Sequence, residues 1–145
     1  MKLKNAILGF AIMLGANAFA QKTTVATSEL PESARTFIVN NFGKNKIAHA
    51  TKESKMGRLK EYKVYLNNGT KIEFDANGNW EEIDAKQKAV PNKIIPQKIA
   101  NHVKKAFPRA KIVKIERDRK GFDVELSNGL DLKFNPQADF LRIED

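Results

Sequence analysis

The sequence predicts an α+β fold: a tandem repeat of a helix followed by a four-stranded antiparallel sheet, with both helices on one sheet face. The first observation is that the chain matches itself. Leu30-Pro31 corresponds to Ile95-Pro96, and Phe42-Gly43-Lys44 to Phe107-Pro108-Arg109. Further on, Tyr62-Lys63-Val64-Tyr65-Leu66-Asn67-Asn68-Gly69 corresponds to Phe122-Asp123-Val124-Glu125-Leu126-Ser127-Asn128-Gly129. Ile72 and Phe74 then match Leu132 and Phe134, and Trp80 and Ile83 match Phe140 and Ile143. Self-similarity of this kind marks a repeated supersecondary unit, and the sheets of the two units are expected to run together edge to edge or to pack closely. The second observation is charge. Segment 43–63 is basic and 64–85 acidic, and segment 86–120 is basic and 121–145 acidic, so each half runs from basic to acidic.

Residues 1–20 read as a cleavable signal peptide. Lys2 and Lys4 form the positive start, Ala6 to Gly15 is apolar, and Ala18-Phe19-Ala20 places small residues where a signal peptidase reads. The apolar stretch is shorter than the roughly 18 residues that a membrane span requires. Cleavage is expected before Gln21, which makes the chain an exported, periplasmic protein. No later apolar run could span a bilayer, so no transmembrane segment is expected in the mature chain, although peripheral surface contact is compatible with its charge.

Residues 21–29 are read as an N-terminal extension, 30–85 as the first repeat, 86–92 as a polar linker and 93–145 as the second repeat. Pro31 and Pro96 suit helix starts. Leu30, Ala34, Phe37, Ile38 and Phe42 follow helical spacing, as do Ile95, Ile99, Val103 and Phe107. Gly43 and Pro108 stop the two helices. Tyr62, Val64 and Leu66 alternate with polar residues in one half, and Phe122, Val124 and Leu126 in the other. Asn68-Gly69 and Asn128-Gly129 supply two-residue hairpin turns. Thr70, Ile72 and Phe74, with Leu130, Leu132 and Phe134, form return strands. Asn77-Gly78 and Asn135-Pro136-Gln137 lead into the last strands, and Lys55-Met56-Gly57-Arg58 forms the tip of a longer hairpin.

Several chemistries lack their residues. The chain has no cysteine, which excludes disulfides, thiol catalysis and thiolate metal sites. No serine lies in a G-x-S-x-G elbow, and the glycines are spaced singly, without a phosphate-cradling loop. Of the two histidines, His102 falls on a helix at a packing position and His49 on a strand. Asp75-Ala76-Asn77-Gly78-Asn79 faintly resembles a calcium loop, but its glycine is out of position and its spacing too short. Asn68-Gly69-Thr70 matches a glycosylation sequon inside a tight turn. These readings lead to the expectation of no enzyme activity, no catalytic residue, no metal and no cofactor.

Two surfaces remain as binding candidates. If Tyr62, Val64 and Leu66 face the helices, period two sends Lys63 and Tyr65 outward. With Ile83 in the core, an odd offset sends Trp80 to the opposite face, and Phe140 and Arg142 follow in the other half. Tyr65, Trp80, Phe140, Lys63 and Arg142 would then form an aromatic patch rimmed by charge, as at binding surfaces. The competing reading is a bulge that turns Trp80 and Phe140 inward to cap the core. The second surface is cationic: Lys98, Lys104, Lys105, Arg109, Arg119 and Lys120 could attract anionic lipid or glycan. Nucleic acid is not expected as a partner, because the aromatics are not interleaved with the basic residues as stacking platforms.

The leader, the helix-plus-strand units, the NNG and SNG hairpins and the segments FDANGNW and FNPQADF together resemble the PepSY-like family of small periplasmic, β-lactamase-inhibitor-like proteins, over roughly Leu30 to Asp145. The resemblance implies a concave sheet presented to a partner enzyme. The expected function is therefore a non-enzymatic periplasmic binding module that presents a sheet face to a protein or peptide of the cell envelope, as an inhibitor of an envelope enzyme. The alternative is an envelope-surface binder of anionic lipid or glycan.

Overall fold

In a computed structural model of the chain, residues 20–43 and 46–144 are described. The signal-peptide reading falls on residues 1–19 and so lies outside the described residues, apart from Ala20. Strand β1 (Gln21–Thr24) is followed by helix α1 (Glu32–Phe42), then β2 (Ile47–Lys55), β3 (Arg58–Leu66), β4 (Lys71–Asp75) and β5 (Trp80–Asp84). Helix α2 (Gln97–Ala106) precedes β6 (Ile112–Asp118), β7 (Gly121–Leu126), β8 (Asp131–Phe134) and β9 (Phe140–Glu144).

This arrangement overturns the expected fold class. The strands do not form two four-stranded units. They form one nine-stranded sheet in the order β1 to β9, with every neighbouring pair antiparallel. Pairing between β5 and β6 runs straight across the supposed boundary through Glu82↔Glu116, Ile83↔Ile115 and Asp84↔Lys114. The ninth strand, β1, comes from residues read as an extension. Its sequence, Gln-Lys-Thr-Thr, has no apolar alternation to announce it. The protein is dominated by its sheet, with two helices of 11 and 10 residues laid against it.

Both helices cover the same sheet face. Directly paired residues in an antiparallel sheet share a face. Ala50, Val64, Ile72, Ile83, Ile115, Val124, Leu132 and Ile143 are paired in succession and so form one apolar row across eight strands. Ala34, Ile38 and Phe42 of α1, with Ile99 and Val103 of α2, bury against this side in one core cluster. Phe37 meets Phe74 edge to face at 5.8 Å, and His102 meets Phe134 at 5.7 Å. Val90, from the stretch read as a polar linker, is also buried, and its amide donates to the Ile112 carbonyl.

Gly78 couples the β4–β5 turn to α1. It sits at φ +86°, and a Cβ there would overlap the Ser33 hydroxyl and Pro31. The Ser33 hydroxyl donates to the Asn77 carbonyl at 2.9 Å.

Phe74 and Phe134 are fully buried, at 0% exposure. Truncating either to alanine is expected to cost about 3–5 kcal/mol, the range for a buried phenylalanine, in denaturant unfolding. A near-neutral Phe74→Ala or Phe134→Ala would contradict a single core under both helices.

Candidate functional site

The sheet face opposite the helices carries the most unusual arrangement of side chains. Next to the apolar row, one residue along each strand, a second row runs across the other face: Thr51, Lys63, Glu73, Glu82, Glu116, Asp123, Lys133 and Arg142. Its centre is four consecutive carboxylates, Glu73, Glu82, Glu116 and Asp123, on four adjacent strands. Like charges directly opposite one another weaken a sheet, so the row is not there for sheet stability.

Lysines gather around this row without neutralising it. The Lys71 ammonium forms ion pairs with Glu73 at 2.7 Å and Glu82 at 2.8 Å. Lys63 lies 3.2 Å from Glu61 and 3.8 Å from Glu73, and Lys133 lies 3.1 Å from Asp123. Burial pulls the Lys71 ammonium down, but its two carboxylate partners outweigh this and hold it above its ordinary value. Burial likewise opposes ionisation of Glu73, and its bond to Lys71 reverses the effect and holds the carboxyl low. For Glu116 the balance goes the other way: burial first, and then the charge of Glu82, push its carboxyl up, and the opposing pull of Lys114 does not outweigh them. Glu116 is therefore a carboxylate that an incoming cation would stabilise.

Of the residues proposed for an aromatic patch, the structure places Tyr65, Lys63 and Arg142 on this open face and Trp80 and Phe140 on the helix face. The outward placement of Trp80 and Phe140 is corrected by two bulges. The register shifts between Glu73↔Glu82 and Phe74↔Trp80, and again between Lys133↔Arg142 and Phe134↔Phe140. Glu81 and Leu141 are the extra residues, and each shift reverses the alternation that the odd offset assumed. Trp80 is 7% exposed and stacks on Phe37 at 6.4 Å. Phe140 stacks on His102 at 4.2 Å. On the open face Tyr65 has His49 beside it at 5.8 Å, and no patch of three aromatics forms.

Trp80 has a structural task that sequence reasoning missed. The Arg117 guanidinium lies 4.0 Å over its ring, and Arg117 Nε donates to the Trp80 carbonyl at 2.8 Å. Arg117 is on β6 and Trp80 on β5, so the pair clamps one end of the short β5–β6 seam. At the other end the Ala85 amide donates to the Val113 carbonyl. Period two along β6 places Arg117 on the face of Ile115, which was the available sign.

The six cations proposed for an anionic surface do not form one patch. Lys98 begins α2 beside the β8–β9 turn, 2.8 Å from Asp139. Lys104 and Lys105 end that helix, and Arg109 follows in the loop to β6. Arg119 and Lys120 lie past the far end of β6, a strand of seven residues and so roughly 20 Å long.

The loop with a faint likeness to a calcium site is a turn whose carboxylate is already engaged. Asp75 Oδ1 accepts from the amides of Asn77 and Asn79, both at 2.9 Å. These bonds outweigh burial and hold its carboxyl low. Among the described residues, no group of three or more histidine and carboxylate side chains is arranged to hold a metal ion. No helix among them is long and apolar enough to cross a membrane.

Trp80→Ala is expected to lower stability by about 3–5 kcal/mol, as for a buried aromatic. Arg117→Ala should cost less, about 1–3 kcal/mol, for a charged hydrogen bond and a partly exposed cation–π contact. Thermal or denaturant melting of the two variants checks both, and an unchanged melting curve for Trp80→Ala would contradict the clamp.

Residues 60–142, more than half of the chain, match the family described as "Putative beta-lactamase-inhibitor-like, PepSY-like". That match starts in β3 and ends in β9, crossing the β5–β6 seam. Among solved structures, a "putative calcium-regulated periplasmic protein" from Bacteroides thetaiotaomicron is 40% identical with a TM-score of 0.81. The alignment covers 86% of this chain and 97% of that one. A "putative periplasmic protein of unknown function" from Bacteroides vulgatus is 36% identical with a TM-score of 0.82, covering 86% of this chain and all of that one. A second "putative periplasmic protein" from Bacteroides vulgatus is 38% identical with a TM-score of 0.80, covering 86% of this chain and 98% of that one. These descriptions support a periplasmic location. No curated protein matches the chain. The family match and the identity to these structures together make the chain a member of the PepSY-like, β-lactamase-inhibitor-like family.

Proposed function

We propose that the chain is a non-enzymatic periplasmic binding module, which presents the open face of its sheet to a protein or peptide bearing basic side chains and restrains an envelope enzyme by doing so. The observation that carries this reading is the run of four carboxylates across adjacent strands on the face the helices leave uncovered. Cationic side chains from a partner would complete what Lys63, Lys71 and Lys133 only begin. The family's β-lactamase-inhibitor-like description makes β-lactamases the first enzymes to try.

The test uses the mature protein, immobilised, against purified β-lactamases and against envelope extract. Glu116→Gln with Asp123→Asn is expected to weaken capture about tenfold, or about 1.4 kcal/mol, with little change in melting temperature. Lys104→Glu with Lys105→Glu, on the helix side, should leave capture unchanged. Capture lost only with the lysine variants would contradict the reading and favour the cationic surface. The pH dependence has a definite sign. Glu116 sits above its ordinary value, and a cationic partner favours its ionised form. Affinity should therefore rise as pH climbs through that raised value, with uptake of the partner releasing a proton.

A further inference from the structure

The apolar row across the sheet is unfinished at one end. Ile143 closes it opposite Leu132, yet Ile143 is 45% exposed, with Leu141 at 48% and Phe140 at 38% on the same strand. Among the described residues β9 is the edge of the sheet and pairs only with β8. Soluble proteins blunt such edges with lysine, proline or very short strands. The opposite edge follows that rule, since β1 is polar and exposed throughout. β9 does so only in part: it carries Arg142 and Glu144, but three of its five residues are large and apolar, and it has neither lysine nor proline.

The charges on β9 indicate what covers it. Arg142 and Glu144 share the open face, one on each side of Ile143. Within the chain they are poorly matched, because Arg142 lies directly opposite Lys133 and Glu144 directly opposite Asp131. Their closest partner is each other, at 2.7 Å and exposed, and Lys133 lies 3.8 Å from Glu144, which leaves Arg142 as the less well matched of the two. Against a second β9 running antiparallel about a twofold axis at Ile143, Arg142 would face the other copy's Glu144, and Glu144 the other copy's Arg142. Ile143 would meet its own counterpart, extending the apolar row without a break. Centring the axis on Arg142 instead would bring Leu141 opposite Ile143, but it would oppose two arginines and set Phe140 against a glutamate. The register at Ile143 is therefore the one that is self-complementary in charge, with an Ile143 pair at its centre.

We propose that β9 is a self-association edge, which pairs antiparallel with β9 of a second copy about a twofold axis at Ile143 and joins the two sheets into one. The contact is one strand wide, so the dimer is of modest affinity and forms with rising concentration. This inference is independent of the partner-binding reading: it concerns the purified protein alone, and a different strand.

Sedimentation equilibrium of the mature protein from about 1 µM to about 1 mM is expected to show the mass rise from one copy towards two. Arg142→Glu alone and Glu144→Arg alone each set like charges across the axis and should raise the dissociation constant about tenfold or more. The double reversal Arg142→Glu/Glu144→Arg restores both pairs and should restore the dimer, which a merely misfolded variant would not do. Ile143→Lys should leave a folded single copy. A wild-type mass of one copy throughout the range, or a dimer that ignores the single reversals or is not rescued by the double, would overturn the proposal.

Discussion

The structure depends on one register. From Ala50 to Ile143, an apolar side chain on each of eight strands lies directly opposite the next, and a one-residue slip anywhere would send part of this row into water. The hairpins hold most of it locally, because their turns are short. The β5–β6 seam is different. It joins strands separated by a helix and rests on three residue pairs, one of which opposes Glu82 to Glu116. Its reinforcement comes from outside the ladder: Arg117 on the ring and carbonyl of Trp80 at one end, and the Ala85 and Val90 amides on β6 carbonyls at the other. The buried tryptophan is thus part of what makes one sheet out of two stretches of chain.

That single sheet has consequences for binding. Two short helices cover one face, and the other is left polar, with its carboxylates and lysines partly shielded by one another. Joining β5 to β6 also brings Glu73 and Glu82 into line with Glu116 and Asp123. Neither half of the chain alone contains the four-carboxylate row. The cost appears in Glu116, whose carboxyl is pushed up by burial and by Glu82. A cationic partner would offset that cost, and this links the architecture to the proposed function.

Much of the local structure was legible in the sequence, because local rules produce it. The Asn-Gly turns, the period-two alternation around Val64 and Val124, and the two amphipathic helices were all read at their places. So was the outward orientation of Lys63 and Tyr65. Three features were left open or missed. β1 is a polar strand that exists because β2 offers it a ladder, and its own residues do not signal it. The bulges at Glu81 and Leu141, which each insert one residue and turn Trp80 and Phe140 to the helix face, were one of two readings that the alternation left open, because a bulge has no residue signature here. The continuity of the sheet is a pairing between distant segments. The internal sequence match marked two units without deciding whether their sheets join at an edge or pack on one another, and the carboxylate row could not be seen until β5 and β6 were side by side.

The most direct measurement is amide hydrogen exchange under native conditions, read at the seam. If the sheet is one cooperative structure, the amides that hold β5 to β6, around Ile83 and Ile115, open only with global unfolding. Their opening free energy then equals that of central hairpin residues such as Val64 and Val124. Faster exchange at the seam, with protection kept on either side of it, would show two units that separate from each other, and would contradict the single sheet on which the binding face depends.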